Sequence, residues 1–281
     1  MNAIVPALDH VVVDVRHRME EVGAAYRALG FQLTERGYHS LGSINHLAMF
    51  ETDYLELLGF GDDPQRMRAE LVPFPPGLNG LVFKTDDADA RHADLAARGI
   101  AVREPQSFSR PVEIAGQREA ARFRTVHLAP EAATVGRVYF CRHFTPDLVW
   151  RPEWRRHPNG ATAIDGIEIA AQDPPAVAGL FAQMFGPAAI GAGPDGASRI
   201  MAGAVAIDIL DAAALQSRLG AAAPDPAGRI DYMAVLRLRA ASLDAVARLL
   251  RTNRIEGVEQ RKERLRIAAA AAGNVTLDFV E

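Results

Sequence analysis

Four stretches of the chain repeat the same order of hydrophobic and polar positions. Each opens with a short apolar run typical of a β-strand, passes through a polar break into a helical pattern, and closes with another strand. In the first stretch, Met19, Val22, Tyr26 and Leu29 recur at spacings of three and four, which places them on one helix face. The four stretches begin at Leu8, Leu78, Ile164 and Ile230.

The helix ends and closing strands also correspond between the stretches. Gly30, Gly99 and Gly186 end the first three helical patterns, as a glycine that caps a helix in the left-handed conformation does. Between the helix and the closing strand there is room for two more strands, which in the first stretch are FQLTERG and INHLAMF. The pattern therefore predicts four β-α-β-β-β units, whose closing strands begin at Tyr54, Arg137, Ala204 and Val275.

The longest gap between units holds the segment TPDLVWRPEWRRHPNG, from Thr145 to Gly160. We therefore expect an α+β protein with a first domain over residues 1–148, a linker over 149–160 and a second domain over 161–281. Trp150 and Trp154 are expected to strap the two domains together or to cover a pocket. Two such units side by side close their concave faces into a cup, which is a common form of pre-formed ligand pocket.

The opening of the chain resembles a known family. The stretches ALDHVVVDV, ALGF, GYHSLGSINHLAMF and DYLELLGF look like the opening of glyoxalase-like proteins of the vicinal-oxygen-chelate superfamily. The resemblance is specific over residues 7–60 and looser from 78 to 160, where SRPVEI and TPDLVWRPEW look like the same subgroup. It implies four βαβββ units in two paired, cup-shaped domains of mixed sheet, with the active cup in the first domain and a degenerate second domain.

The resemblance also implies a metal site. In metal-dependent members, each paired unit offers one ligand on its first strand and one on its last. Carried over by position, the first-strand ligand here is His10 and the last-strand ligand is Glu56. A neutral imidazole and a carboxylate suit Zn, Mn, Fe or Ni, so the resemblance implies a divalent metal as cofactor.

The second unit departs from the family pattern. Gly80 stands at the position of His10, and Phe140, or Cys141 with a one-residue shift, stands at the position of Glu56. His143 on the same strand and His127 on the preceding strand are nearby substitutes. The expected ligand set is therefore His10, Glu56 and His143.

The third and fourth units carry still less of this pattern. They have Gly166 and Tyr232 at the first-strand positions, and apolar or single acidic residues at the last-strand positions. The second pair of units is therefore expected to be a structural or dimerising half, in a protein that is a monomer or a homodimer.

Glu56 is also the expected catalytic residue. A carboxylate inside a buried strand is costly unless it is paired or metal-bound, which indicates function. Without a metal, burial would raise the pKa of Glu56 and suit it as a general base.

The strand before Glu56 carries two neighbouring polar residues that face opposite sides. A two-residue turn at Thr52-Asp53 pairs Glu56 with Met49 and places Asn45 on the face of Glu56, whereas a three-residue turn places His46 there. We keep both residues as pocket candidates. Arg110 and Arg124 complete the expected pocket, because arginine holds carboxylates through two hydrogen bonds.

Composition limits the classes of function. Hydrophobic residues make up 49% of the 281 residues, charged residues 23%, and the net charge is -4, a balance typical of a soluble globular protein without a nucleic-acid partner. The chain has no apolar run of about 18 residues and no secretory signal, so we expect a cytoplasmic protein with no membrane partner. Its single cysteine, Cys141, excludes an intramolecular disulfide and a cysteine-based zinc cluster.

Two functions remain open from the sequence. The first is an enzyme that acts on a small oxygenated metabolite by metal-assisted lyase or isomerase chemistry, or as a dioxygenase if the metal is iron. The second is a protein of the same fold that binds or sequesters a small molecule without catalysis. The incomplete ligand set of the second unit favours the second function.

Overall fold

The structure, a computed structural model, describes residues 4–61 and 71–281. The elements of its first half, in chain order, are β1 (Leu8–Arg16), α1 (Met19–Ala28), β2 (Gly37–Tyr38), β3 (Ser43–Met49), β4 (Tyr54–Phe60), β5 (Gly77–Lys84), α2 (Ala88–Ala97), β6 (Gln106–Ile114), β7 (Gln117–His127) and β8 (Arg137–His143).

The second half follows the same order with one addition. Its elements are β9 (Ala161–Ala171), α3 (Pro174–Phe185), β10 (Ile190–Ala192), β11 (Ser198–Ala202), β12 (Val205–Asp211), α4 (Ala212–Leu219), β13 (Tyr232–Ala240), α5 (Leu243–Thr252), β14 (Val258–Arg261), β15 (Arg264–Ile267) and β16 (Thr276–Val280).

The four predicted β-α-β-β-β units are confirmed, with α4 as an extra helix after the third unit. The predicted strand FQLTERG is wrong in extent, because only Gly37 of that run joins the short strand β2. None of the helices in the described ranges is long and apolar enough to cross a membrane.

The strands form two mixed sheets of eight strands each. The first has the order β2-β3-β4-β1-β5-β8-β7-β6, and the second has the order β10-β11-β12-β9-β13-β16-β15-β14. In the first sheet, β1 pairs in parallel with β4 and antiparallel with β5, so the opening strands of two units meet at the centre. The second sheet repeats this arrangement around β9 and β13. The α+β class and the two paired cups are therefore confirmed.

The two sheets share one large hydrophobic core, and each half also has a smaller apolar cluster of its own. The Phe31 and Phe279 rings are 6.2 Å apart between centroids, and the Phe83 and Phe185 rings are 4.9 Å apart. The Tyr26 hydroxyl donates to the Ala272 carbonyl at 3.2 Å. The helices and outer sheet faces of the two halves pack on each other. The inner faces of both sheets therefore lie outside this shared core and form the two cups.

The segment between the two sheets is anchored by a buried histidine. His157 accepts a hydrogen bond from the Gln32 backbone N–H at Nδ1, 3.0 Å away, and donates from Nε2 to the Met49 carbonyl at 2.9 Å. Trp150 lies over the first cup, 5.5 Å from the Tyr54 ring, and Trp154 packs against the apolar cluster of the same cup. The tryptophans therefore cover the first cup, and His157 fixes the connecting segment.

The two hydrogen bonds of His157 predict a pH dependence of stability. Burial lowers the pKa of His157, and a proton on Nδ1 would also displace the Gln32 N–H. A histidine whose folded pKa is lowered contributes stability above its unfolded pKa of about 6.5, and loses it as the pH falls below that value. We therefore expect the urea midpoint of the wild type to fall between about pH 7.5 and about pH 5.5.

The matched variant for this measurement is His157→Asn, whose side chain does not titrate. We expect its urea midpoint to fall less than that of the wild type over the same pH range. Equal losses in the two proteins would show that His157 is not the source. Burial also lowers the pKa of His46. His46 is present in both proteins, so it contributes equally to the pH dependence of each.

Candidate functional site

A β-bulge on β1 lets two neighbouring residues serve the first cup. The register of β1 on β5 shifts between Leu8 and His10, so Asp9 has no partner opposite it. A bulge of this kind re-aims a side chain that would otherwise point to the far face of the sheet. The same shift occurs at the corresponding position of the other three units, where the unpaired residues are Asn79, Asp165 and Ala234.

Side chains at alternate positions of the strands line the first cup. The cup has a volume of about 530 Å³, including its open mouth. His10 comes from β1, Glu56 from β4, Arg110 from β6 and Tyr139 from β8, so both units of the first half contribute. His10 and Glu56, which the sequence analysis places in one site, both line this cup.

The register of the strands identifies which residue of the second unit corresponds to Glu56. Val12, two positions after His10, lies opposite Glu56 on β4. Val82, two positions after Gly80, lies opposite Tyr139 on β8. The residue at the Glu56 position of the second unit is therefore Tyr139.

This register corrects the sequence assignment to Phe140 or Cys141. Phe140 points into the core that the two sheets share. Cys141 does line the cup, but two residues further along β8 than Tyr139, opposite Lys84. The sequence alone does not fix the alignment of the last strand to within one or two residues. Each one-residue error moves a side chain to the opposite face of the sheet.

Asp9, His10 and Tyr139 form a continuous buried chain of hydrogen bonds. His10 Nδ1 lies 2.6 Å from Asp9 Oδ1, and His10 Nε2 lies 3.2 Å from the Tyr139 hydroxyl. Burial tends to raise the pKa of Asp9, but the charge of His143 and the hydrogen bonds from His10 and His143 outweigh it, so the pKa lies well below its usual range. A carboxylate accepts only, which assigns the proton of neutral His10 to Nδ1 and leaves its Nε2 lone pair facing the cup.

The His10 ring is fixed in its plane by aromatic neighbours. The Tyr54 ring stacks on it with the centroids 4.3 Å apart, and the Tyr139 ring meets it edge-on at 5.9 Å. The Tyr54 ring in turn lies against Trp150 and His143. The imidazole is therefore held in one orientation before any ligand binds.

Glu56 is surrounded by groups that favour its charged form. Asn45 Nδ2 donates to Oε1 at 2.6 Å, His10 Nε2 lies 3.6 Å from Oε2, and His39 Nε2 lies 3.9 Å from Oε1. Burial tends to raise the pKa of Glu56, but the charges of His10 and His39, the Asn45 hydrogen bond and the charge of Arg137 outweigh it and lower the pKa. The expectation of a raised pKa for Glu56 is therefore wrong, and Glu56 is a poor general base.

Of the two polar neighbours on β3, Asn45 faces the cup and His46 does not. Leu47 pairs with Glu56, so Asn45 lies on the same face as Glu56. The turn comprises residues 50–53, which is longer than either predicted turn. His46 lies on the outer face, where its Nδ1 is 2.7 Å from the Thr34 carbonyl, so its inclusion in the pocket is wrong.

The two predicted arginines lie on the same hairpin but in opposite environments. Arg110 on β6 lines the cup and is only 3% exposed. Arg124 on β7 forms a two-bond ion pair with Asp89, with distances of 2.9 and 2.6 Å, outside the cup. Arg110 therefore lines the cup, whereas Arg124 lies outside it, where its charge is neutralised at the surface beside α2.

His143 does not join His10 and Glu56 in one ligand set. Its Nε2 lies 3.1 Å from Asp9 Oδ1, on the side of His10 away from Glu56. In the described part of the chain, the ligand atoms that lie within 4.8 Å of one another belong to a different set, which is Asp9, Cys141 and His143. That trio could hold a metal ion, but the predicted set of His10, Glu56 and His143 is not assembled.

The remaining positions of the family-type metal site do not fit a cation. Gly80 offers no ligand, and a Cβ atom there would lie 2.5 Å from the Val12 Cβ atom. The Tyr139 hydroxyl already lies against the His10 Nε2 lone pair that would bind a metal. The positive charges of Arg110 and Arg137 both act on Glu56. Two ligands beside two guanidinium groups do not form a divalent-metal site.

Ion pairs line the second cup. Asp208 and Asp278 occupy the positions that correspond to Glu56 and Tyr139, because the strand register of the second sheet repeats that of the first. Arg199 holds Asp208 at 2.6 and 2.7 Å, and Arg266 holds Asp278 at 2.7 Å through both of its bonds. The aspartates at these two positions are therefore held in ion pairs, beside an open pocket that Glu168, Arg237 and Asp278 help to line.

The register of the second sheet corrects one further assignment. Glu168 is the counterpart of Val12, and it pairs with Val235, as Val12 pairs with Gly80. The residue at the His10 position of the fourth unit is therefore Val235. The assignment to Tyr232 is wrong because the strand register places the His10 position of this unit three residues later than the sequence pattern does.

The residues that the sequence analysis missed include four polar ones in or beside the first cup. Asp9 was missed because a neighbour of His10 on a regular strand would face away from it. Tyr139 and Arg137 were missed because the last strand was aligned incorrectly. His39 is the only one with a local signal, since it lies in the stretch GYHSLGSIN that carried the resemblance.

Comparison with solved structures supports the fold alone. A hypothetical protein from Staphylococcus aureus matches with a TM-score of 0.66 and 12% identity, over 97% of this chain and 98% of that one. A mutant of 4-hydroxymandelate synthase from Streptomyces coelicolor matches with a TM-score of 0.57 and 10% identity, over 100% and 93%. A fusion protein of a xylose isomerase-like TIM barrel and 4-hydroxyphenylpyruvate dioxygenase matches with a TM-score of 0.55 and 13% identity, over 93% of this chain and 41% of that one.

Comparison at the level of sequence is more specific. No curated protein matches the chain. The sequence model of the family described as glyoxalase-like domain matches residues 8–185, which is more than half of the chain. The matched range contains the complete first cup and the first strand and helix of the second half. The chain therefore belongs to the glyoxalase-like domain family.

Proposed function

We propose that the first cup binds a small oxygenated metabolite and catalyses a proton transfer on it, in a reaction of the lyase or isomerase type. The observation that carries this proposal is the buried chain from Asp9 through His10 to Tyr139. In such a chain the carboxylate holds the imidazole in one tautomer and stabilises the imidazolium that forms when the ring takes a proton. His10 Nε2 is therefore the general base.

Tyr139 and Glu56 have separate roles in this scheme. When His10 Nε2 takes a proton from the substrate, the Tyr139 hydroxyl can no longer donate to that nitrogen. It can then donate to an oxygen on which negative charge develops. Glu56, whose pKa is lowered, stays charged and stabilises the imidazolium from 3.6 Å. Asn45 holds Glu56 in that position through its hydrogen bond of 2.6 Å.

The surroundings of the cup exclude water from this chemistry. Val149 lines the cup, and Trp150 lies over Tyr54 and His143. Lys84 lies over the Trp150 ring, 5.1 Å from its centroid. A dry site strengthens the interaction between the charges of Asp9, Glu56 and the imidazolium.

The test is deuterium exchange in heavy water. The full chain is incubated with a defined mixture of small oxo and hydroxy compounds, and incorporation of deuterium at carbon is measured by mass spectrometry. We expect exchange in at least one compound with the wild type and with the control His92→Gln, whose histidine lies on α2 beside Glu104. We expect none with His10→Gln.

A sequestering function is the second candidate, and the same experiment separates it. It is favoured by Gly80 and Tyr139, which stand where a metal-dependent enzyme would have ligands. A compound that binds, as shown by broadening of its proton resonances, but never exchanges in the wild type would support sequestration and contradict proton transfer.

A further inference from the structure

Two polar atoms buried in the first cup have no hydrogen-bond partner among the described residues. They are Arg110 Nη2, which can only donate, and Asn45 Oδ1, which can only accept. Their residues are 3% and 2% exposed. Buried polar groups are almost always paired, so a complementary pair of unsatisfied atoms in a cup indicates what the ligand supplies.

The two unsatisfied groups lie close together because of Gly37. A Cβ atom on Gly37 would lie 2.9 Å from Arg110 Nη1 and would overlap Asn45 Oδ1 and Arg110 Cδ. Both side chains therefore converge on the space that a glycine leaves on β2. The two unsatisfied groups therefore lie in one small region of the cup wall.

In the second cup, arginines form ion pairs with aspartates of the chain. Arg199, Arg237 and Arg266 each hold an aspartate within 2.7 Å. In the described part of the first cup, Arg110 and Arg137 have no carboxylate within 4.0 Å, and Arg137 instead donates to the amide oxygen of Asn79 at 3.2 Å. The first cup therefore contains two guanidinium groups that feel the charge of Glu56 but form no ion pair with any described carboxylate.

We infer that the ligand of the first cup is a small carboxylic acid with a hydroxyl group on the carbon next to the carboxylate. The carboxylate binds the free edge of the Arg110 guanidinium, and the charge of Arg137 adds to the attraction. The hydroxyl donates to Asn45 Oδ1. This inference names the ligand class of the proposed function and rests on it only in placing the ligand in the first cup.

The arrangement also connects the ligand to the base. Asn45 contacts Glu56, and Glu56 lies 3.6 Å from His10. Asn45 therefore links the carbon that bears the hydroxyl to Glu56 and, through Glu56, to His10. A hydrogen on that carbon is the one that the proposed proton transfer would remove, and its electron pair would pass to the carboxylate held by Arg110.

The experiment is calorimetric titration of the His10→Gln full chain, which binds without turnover. The probes are three matched sets that differ in size: glycolate, lactate and mandelate, each compared with its amide and with the acid that lacks the hydroxyl. In at least one set we expect the hydroxy acid to bind about 10- to 100-fold more tightly than its amide, as a hydrogen bond to a charged group predicts. We expect a smaller preference, of about 5-fold, over the acid without the hydroxyl.

The matched protein variants are Arg110→Met and Arg124→Met, made in the same hairpin. Arg110→Met should remove the preference for acid over amide, and Arg124→Met should keep it in full. Arg110→Lys, which retains the charge but not the planar fork, should retain part of the preference. It serves as the second variant should Arg110→Met fail to fold.

Three results would overturn the inference. They are amides that bind as tightly as the acids, an acid preference that survives Arg110→Met, and no detectable binding of any acid in the three sets. Because binding is measured without His10, failure of the proton-transfer proposal would leave this result unchanged. Exchange of neutral compounds by the wild type, without any preference for acids, would uphold the proposed function and overturn only the ligand class.

Discussion

Asp9→Asn is expected to lower the rate of deuterium exchange by roughly 10³- to 10⁴-fold, while the protein stays folded. The carboxylate of Asp9 accepts the Nδ1 proton of His10 at 2.6 Å. The amide introduced by the substitution presents N–H groups to the same nitrogen and favours the tautomer with the proton on Nε2. The lone pair then lies on Nδ1 and faces that amide rather than the cup, so the base is lost although every atom of His10 is present.

Asp165→Asn is the matched control for this variant. Asp165 occupies the bulge position of the third unit, which corresponds to Asp9, but its carboxylate holds Arg237 and Arg239 outside the first cup. We expect it to leave the exchange rate within about 2-fold of the wild type, since changes far from the reacting groups are additive and small. Equal losses in the two variants, or full activity in Asp9→Asn, would contradict the role of Asp9.

Arg266→Met is expected to cost about 3–5 kcal/mol in the free energy of unfolding. The Arg266 and Asp278 side chains are each 2% exposed and share two hydrogen bonds of 2.7 Å. Removing the guanidinium leaves a buried carboxylate without its main partner. The measurement is the urea midpoint and slope at neutral pH.

The control lies two residues away on the same strand. Arg264 also points to Asp278, at 3.5 Å, but its side chain is 29% exposed. We expect Arg264→Met to cost less than about 1 kcal/mol, as partly exposed ion pairs do. The double variant Arg266→Met with Asp278→Leu should recover part of the loss, because no buried charge remains. A cost for Arg266→Met equal to that of Arg264→Met would show that the ion pairs of the second cup do not support its structure.

The repeated units were predictable because their signals are local. A helical stripe such as Met19, Val22 and Tyr26 and an ending glycine such as Gly30 occupy fixed places in each unit. Four repetitions of a weak signal make a strong one. The first and last strands carried His10 and Glu56, and their parallel pairing brings both into one cup.

The rest of the site depends on features that a sequence pattern does not reveal. The bulge at Asp9 is a matter of strand pairing, and it decides whether that residue faces the cup or the core. The length of the turn after Met49 decides between Asn45 and His46. Arg110 and Arg124 are indistinguishable in sequence, because only the distant partner Asp89 separates the surface arginine from the buried one.

Asp9 holds His10 with its Nε2 lone pair directed into the first cup. Nuclear magnetic resonance of the isotope-labelled imidazole nitrogens measures this directly, on the full chain at mildly alkaline pH. We expect neutral His10 to carry its proton on Nδ1 in the wild type and on Nε2 in Asp9→Asn. A proton on Nε2 in the wild type would contradict it.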